Sequence, residues 1–110
     1  MTLPLISVVI PTYGREEVLR DTLANVIQQD YPNYEVLVVD QTQNHEPETD
    51  AYLNELAATE KIRLFRVNWA SLPGARNYAV RRAHGEIILF IDDDVQLPPG
   101  CIAALARNFA

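Results

Sequence analysis

Gly85-Glu86-Ile87-Ile88-Leu89-Phe90-Ile91-Asp92-Asp93-Asp94 sets five apolar residues directly against three carboxylates. An unbroken apolar run of this length fits a strand buried on both faces, as in the middle of a parallel sheet, and the acids then emerge together at its carboxyl end. In open α/β sheets that is the edge where ligands bind. Three like charges held so close raise the free energy of the empty site unless a divalent cation or a bound cationic group neutralises them. The competing reading is a solvated strand end that caps the next helix.

Working outward, the same alternation of strand and helix fills the chain. Leu5 to Ile10 is a β-branched run that reads as a first buried strand, stopped by Pro11. Val18, Leu19, Leu23, Val26 and Ile27 then recur at helical spacing, with Glu16 and Glu17 at the positive end of the helix dipole. Tyr31-Pro32-Asn33 is a turn, and Glu35 to Val39 is a second strand ending at Asp40. A polar stretch from Gln41 to Thr49 precedes a second helix marked by Tyr52, Leu53, Leu56 and Ala57. Ile62 to Val67 alternates, as a strand with one exposed face near the sheet's edge would. Pro73-Gly74 opens a third helix through Ala83, with Gly85 placed to end it. Cys101 to Ala110 reads as a helix still in progress, with Cys101 as a small buried apolar residue, so the chain is expected to be part of a longer protein.

This order predicts a Rossmann-like three-layer α/β/α fold with a mainly parallel four-stranded sheet in the order 3-2-1-4 and right-handed crossovers. Residues 11–15, 40–45 and 92–96 then gather at one sheet edge, and a ligand cleft is expected where the winding reverses between strands one and four.

Composition narrows the partners. The chain has 110 residues, enough for one such core, and a net charge of −6 with acids spread along it, which excludes a nucleic-acid surface built on a basic stripe. The single cysteine forms no internal disulfide, and the longest apolar runs, about six residues, are too short for a signal-peptide core or a membrane span. A cytoplasmic location is expected. Any placement at the inner face of a membrane would require segments not present here.

The four glycines form neither GxGxxG nor GxxxxGK[ST], so the two commonest backbone phosphate cradles are absent. Phosphate charge must be met in another way. Asp92 and Asp94, with water, form the hard oxygen shell that Mg²⁺ or Mn²⁺ accepts, leaving positions for diphosphate oxygens. Thr12 and Tyr13 offer a hydroxyl and a ring to hydrogen-bond and stack on a planar base. Asp40 can accept from a ring N–H or a ribose hydroxyl. Arg76-Asn77 lies near a helix start, where the guanidinium and the dipole both favour an anion. Each has a plain structural alternative: Tyr13 packing locally, Asp40 bonding the loop that follows it, Arg76 a solvated helix residue.

These segments, Ser7-Val8-Val9-Ile10-Pro11-Thr12-Tyr13-Gly14-Arg15, Gln29 to Asp40, Gly74-Ala75-Arg76-Asn77 and Gly85 to Asp94, together resemble the amino-terminal half of a family 2 glycosyltransferase of the GT-A fold. The resemblance implies that residues 1–110 are the nucleotide-sugar-binding portion of such a domain, truncated at the carboxyl end. It implies a nucleotide-sugar site comprising Pro11, Thr12, Tyr13, Arg15, Asp40, Gln41, Arg76, Asn77, Asp92 and Asp93. Asp92 and Asp94 match the DxD metal motif, and Asp93 a position that can reach the ribose. The implied donor is a nucleoside-diphosphate sugar, a UDP-sugar first, bound through Mg²⁺ or Mn²⁺, with inversion at the anomeric carbon and an unidentified acceptor. Gln41 stands where the family often has a second acid; its amide both accepts and donates, which leaves the base open. The family's catalytic base belongs to the half that follows, so no catalytic residue is expected in this segment, and the isolated fragment is expected to be inactive.

Two rivals use the same residues. A non-catalytic nucleotide-binding module of this fold needs no acceptor base. A haloacid-dehalogenase-type phosphatase would make Asp92 a nucleophile and Asp94 a general acid, although that motif normally ends the first strand and here ends the fourth. His45 and His84 read as surface groups, and Trp69 as packing over the sheet edge in preference to shaping a sugar pocket. A domain cut short would also expose apolar surface and self-associate.

Overall fold

The computed structural model describes residues 3–109. The elements run β1 (Ile6–Thr12), α1 (Glu17–Val26), β2 (Tyr34–Asp40), α2 (Pro47–Ala58), β3 (Arg63–Arg66), α3 (Leu72–Val80), β4 (Ile87–Phe90) and α4 (Cys101–Asn108). All strand pairs are parallel, and the sheet order is β3-β2-β1-β4, as the alternation of patterns predicts.

The sheet carries helices on both faces because β1 and β2 are apolar on both. Ile6, Val8 and Ile10 point to the same core as Leu19, Leu23 and Val26 of α1, Leu53 and Leu56 of α2 and Ile102 of α4. Val9, Leu37 and Val39 point the other way, onto Ala75 and Ala79 of α3. Alternate side chains of one strand thus feed two cores, the physical reason these runs are apolar without interruption.

β4 departs from the expectation of burial on both faces. It lies at the sheet margin, paired only with β1 among the described residues; Ile87 to Leu89 are half-buried and Phe90 is 40% exposed. Pro11 also departs from expectation, since it lies inside β1 and does not stop it. The Val9 carbonyl accepts from Ile91 N and that of Thr12 accepts from Gln41 N, so odd positions of β1 face β4 and even ones face β2. The ring nitrogen of Pro11 therefore faces the β4 side, beyond the last registered pair Val9–Phe90, where no ladder bond is lost.

Helix boundaries moved for local reasons. α2 starts at Pro47, earlier than its apolar residues suggest, with proline in the first turn where its missing N–H costs nothing. α3 starts at Leu72 because the Ser71 hydroxyl caps it, accepting from Gly74 N at 3.1 Å. It ends at Val80, well before Gly85. Gly85 instead serves close packing: a Cβ there would sit 2.5 Å from Ser7 Oγ and 2.7 Å from Ser7 N. α4 ends at Asn108, and Cys101 is partly buried, not enclosed. Ala110, the last residue of the expected terminal helix, lies outside the described residues, as do Met1 and Thr2.

That contact belongs to a knot at the amino end of the sheet. Glu35 accepts from Ser7 Oγ at 2.6 Å, from the His84 backbone N–H at 2.7 Å and from Arg63 Nη1 at 3.0 Å. Ser7 Oγ in turn accepts from Gly85 N at 2.8 Å. Burial disfavours the Glu35 charge, yet these donors hold its pKa below the ordinary carboxylate value.

Candidate functional site

At the opposite end, the carboxyl ends of β1, β2 and β4 open into a cleft of about 440 Å³. Pro11, Thr12, Tyr13 and Arg15 form one wall, Gln41 and Ala70 to Leu72 another, and Asp92, Asp93 and Asp94 the third. Seven of the residues proposed from sequence for nucleotide binding (Pro11, Thr12, Tyr13, Arg15, Gln41, Asp92, Asp93), and both proposed metal ligands, therefore line one cavity.

The three acids are not equivalent. Asp93 is tied inward: its Oδ2 accepts from Thr12 Oγ1 at 2.8 Å, its Oδ1 lies 3.5 Å from Arg15 Nε, and its backbone carbonyl accepts from Thr22 Oγ1 at 2.8 Å. Asp92 and Asp94 are exposed and have no hydrogen-bond or ion-pair partner among the described residues. No cluster of three metal-ligating side chains occurs among the described residues. Two free carboxylates flanking a locked one fit a hard divalent cation that takes its remaining oxygens from water and ligand.

The segment after the acids is held by an amide of α1 and one just beyond its end, which the sequence reading passed over. Asn25 donates to the Leu97 carbonyl at 3.1 Å and accepts from Leu97 N at 2.8 Å. Gln29 donates to the Pro98 carbonyl and accepts from Ile102 N, each at 3.1 Å. Thr22, Asn25 and Gln29 are spaced three and four residues apart, the first two on α1 and the third past its end, and that spacing was the available signal.

Three proposed residues lie outside the cleft wall. Arg76 and Asn77 are exposed one turn into α3, with the Arg76 guanidinium 5.6 Å from the centroid of Phe90 at the end of β4. Asp40 is fully buried behind the wall and bonds the loop that follows it: Oδ1 accepts from Thr42 N at 3.1 Å, and Oδ2 lies 2.8 Å from His45 Nε2 and 3.6 Å from Arg66 Nη1. Gln41 is held at both ends, donating from Nε2 to the Thr12 carbonyl at 3.3 Å and accepting from Ser71 N at 2.6 Å.

His45 corrects the expectation of a surface group. Its side chain is fully buried, with Nδ1 2.9 Å from Glu16 Oε2 and Nε2 2.8 Å from Asp40 Oδ2. Burial alone would lower its pKa, but the two carboxylates raise it above the ordinary histidine value. Glu16 behaves reciprocally: burial opposes its charge, while the Glu46 N–H at 2.7 Å and His45 hold its pKa below the ordinary value. His84 is exposed, as expected. Trp69 packs edge-on to Tyr78, with ring centroids 5.9 Å apart, and lies against Gly74.

The sequence profile described as "Glycosyl transferase family 2" matches residues 7–110. The chain belongs to this family. Among curated relatives it is 29% identical, over 96% of its length, to the GalNAc(5)-diNAcBac-PP-undecaprenol beta-1,3-glucosyltransferase of Campylobacter jejuni, and covers 35% of that protein. Among solved structures, it superposes on S. aureus TarS 1-349 in complex with UDP-GlcNAc with a TM-score of 0.81 and 26% identity, covering 94% of this chain and 30% of that one. The mannosyltransferase PcManGT of Pyrobaculum calidifontis, in complex with GDP-Man and Mn²⁺, matches with a TM-score of 0.75 and 28% identity, covering 97% of this chain and 32% of that one. The chain thus spans about a third of the length of each of these three relatives, 35% for the first. The fold of this glycosyltransferase domain is GT-A, and the phosphatase reading falls with that assignment. No helix of the described residues is long and apolar enough to cross a membrane.

Proposed function

We propose that this chain is the donor-binding portion of a metal-dependent, inverting glycosyltransferase that transfers a sugar from a nucleoside diphosphate to an acceptor hydroxyl. The observation that carries the reading is the asymmetry of the acid cluster, in which Asp93 is locked while Asp92 and Asp94 line the cleft with no partner among the described residues. Solved relatives in complex with UDP-GlcNAc and with GDP-Man and Mn²⁺ support a nucleotide-sugar donor for the same cleft.

In this reading Asp92 and Asp94 hold Mg²⁺ or Mn²⁺, which when bound supplies Lewis-acid stabilisation of the leaving diphosphate. Tyr13, 62% exposed at the rim, stacks on the base. Arg15, half exposed beside Asp93, adds positive charge next to the phosphates. Gln41 keeps one amide hydrogen for the base beyond its bond to Thr12. Arg76 and Asn77 approach the donor from α3. The acceptor pocket and the acid that deprotonates the acceptor belong to the portion of the relatives outside the matched third. A cytoplasmic setting suits the single free thiol at Cys101.

Calorimetric titration with UDP and GDP, with and without Mn²⁺, tests this reading. Binding that requires the cation is the expected result. Equal affinity after EDTA treatment, or no binding of either nucleotide, overturns it.

A further inference from the structure

We propose that His45 is a positioning residue of the donor site, setting the turn that presents Tyr13 to the cleft by gripping that turn from both sides. The proposal rests on the donor-binding reading above and goes beyond it.

One grip is direct. Glu16, at the end of the turn, bonds His45 Nδ1 at 2.9 Å. The other runs through two residues. Asp40 Oδ2 lies 2.8 Å from His45 Nε2, its Oδ1 accepts from Thr42 N at 3.1 Å, and Thr42 Oγ1 accepts from Gly14 N at 2.8 Å. Gly14 has φ +68°, a left-handed conformation that glycine adopts freely, and it immediately follows Tyr13. Arg15, between Gly14 and Glu16, reaches Asp93 of the acid cluster. Each of residues 14, 15 and 16 is therefore tethered, while the Tyr13 ring is exposed and takes its direction from the backbone behind it.

Both partners of the His45 ring are carboxylates, which only accept, so the ring serves both when it carries two protons. The charged groups around it are Glu16 from the start of α1, Asp40 from β2, and behind Asp40 the Arg66 guanidinium of β3, itself paired with Asp50 of α2 at 2.8 Å. Loss of a ring proton leaves a lone pair facing one carboxylate inside a buried site, and the grip on one side of the turn is released. Donor affinity is thus expected to fall as pH rises through the titration of His45.

The test uses the full protein and UDP with Mn²⁺, titrated calorimetrically from pH 6.5 to 9, with thermal unfolding as a check on folding. His45→Gln is expected to weaken UDP binding and flatten its pH dependence relative to wild type. Thr42→Val, which keeps volume but removes the acceptor for Gly14 N, is expected to weaken UDP binding roughly fivefold, and Thr42→Ser to restore it. Wild-type affinity in Thr42→Val, or an unaltered pH profile in His45→Gln, overturns the positioning role while leaving the donor site standing. Absence of UDP and GDP binding by the wild-type protein overturns the donor reading and this proposal together.

Discussion

The two ends of the sheet each gather acid side chains, and they treat them in opposite ways. At the amino end, Glu35 is enclosed by Ser7, Arg63 and the His84 backbone, and these donors are spent on the fold. At the carboxyl end, Asp93 is treated like Glu35, but its neighbours Asp92 and Asp94 have no partner among the described residues. A satisfied acid fastens strands to loops; an unpaired one at the mouth of a cleft keeps its oxygens free for a ligand.

The contrast breaks most visibly if the free acids are removed. Asp94→Ala in the full protein is expected to lower Mn²⁺-dependent transfer roughly a hundredfold or more, with the melting temperature unchanged or raised. Steady-state kinetics and calorimetry on one preparation check both halves. At the other end the expectation inverts. Gly85→Ala forces a methyl into the backbone of Ser7 and is expected to cost about 3 kcal/mol of stability, with UDP affinity of the folded protein retained.

Glu35→Gln is milder, at about 2 kcal/mol for weakened charge-assisted bonds, read from urea unfolding. It also carries a pH signature. The folded-state pKa of Glu35 lies below its ordinary value of 4.5, so its contribution is full above that pH and is lost as pH falls through the folded value. The stability difference between wild type and Glu35→Gln is therefore expected to shrink on acidification below that value. The smallest effect is expected at Arg20–Glu48, a 3.0 Å pair whose acid is 82% exposed. Deleting either charge should change stability by less than about 0.5 kcal/mol, and a larger loss in chemical unfolding would show that an exposed ion pair counts here as much as the buried knot.

Much of this was legible in the chain. The apolar runs of β1 and β2 feed two cores, and that demand is written directly into consecutive Val and Ile residues. The acid cluster was legible because its charge sits against an apolar strand. What escaped reading rested on a partner distant in sequence: the buried His45 bonds Glu16, 29 residues earlier, as well as Asp40. Asp40 turns inward onto partners two and five residues on, the plain alternative read beside the ligand role, and no local pattern separates an acid that faces a ligand from one that faces a histidine. The order 3-2-1-4 placed β4 at the margin, but its partial exposure escaped because an apolar strand reads alike at a margin and in a centre.

Pro11 gives the cleft a property beyond shape. Just past the last pairing of β1 with β4, a passing extended peptide would meet a ring where it needs an amide hydrogen, so it cannot zip onto the sheet there. The crevice is guarded against being filled by another strand, which keeps it vacant for small, charged guests.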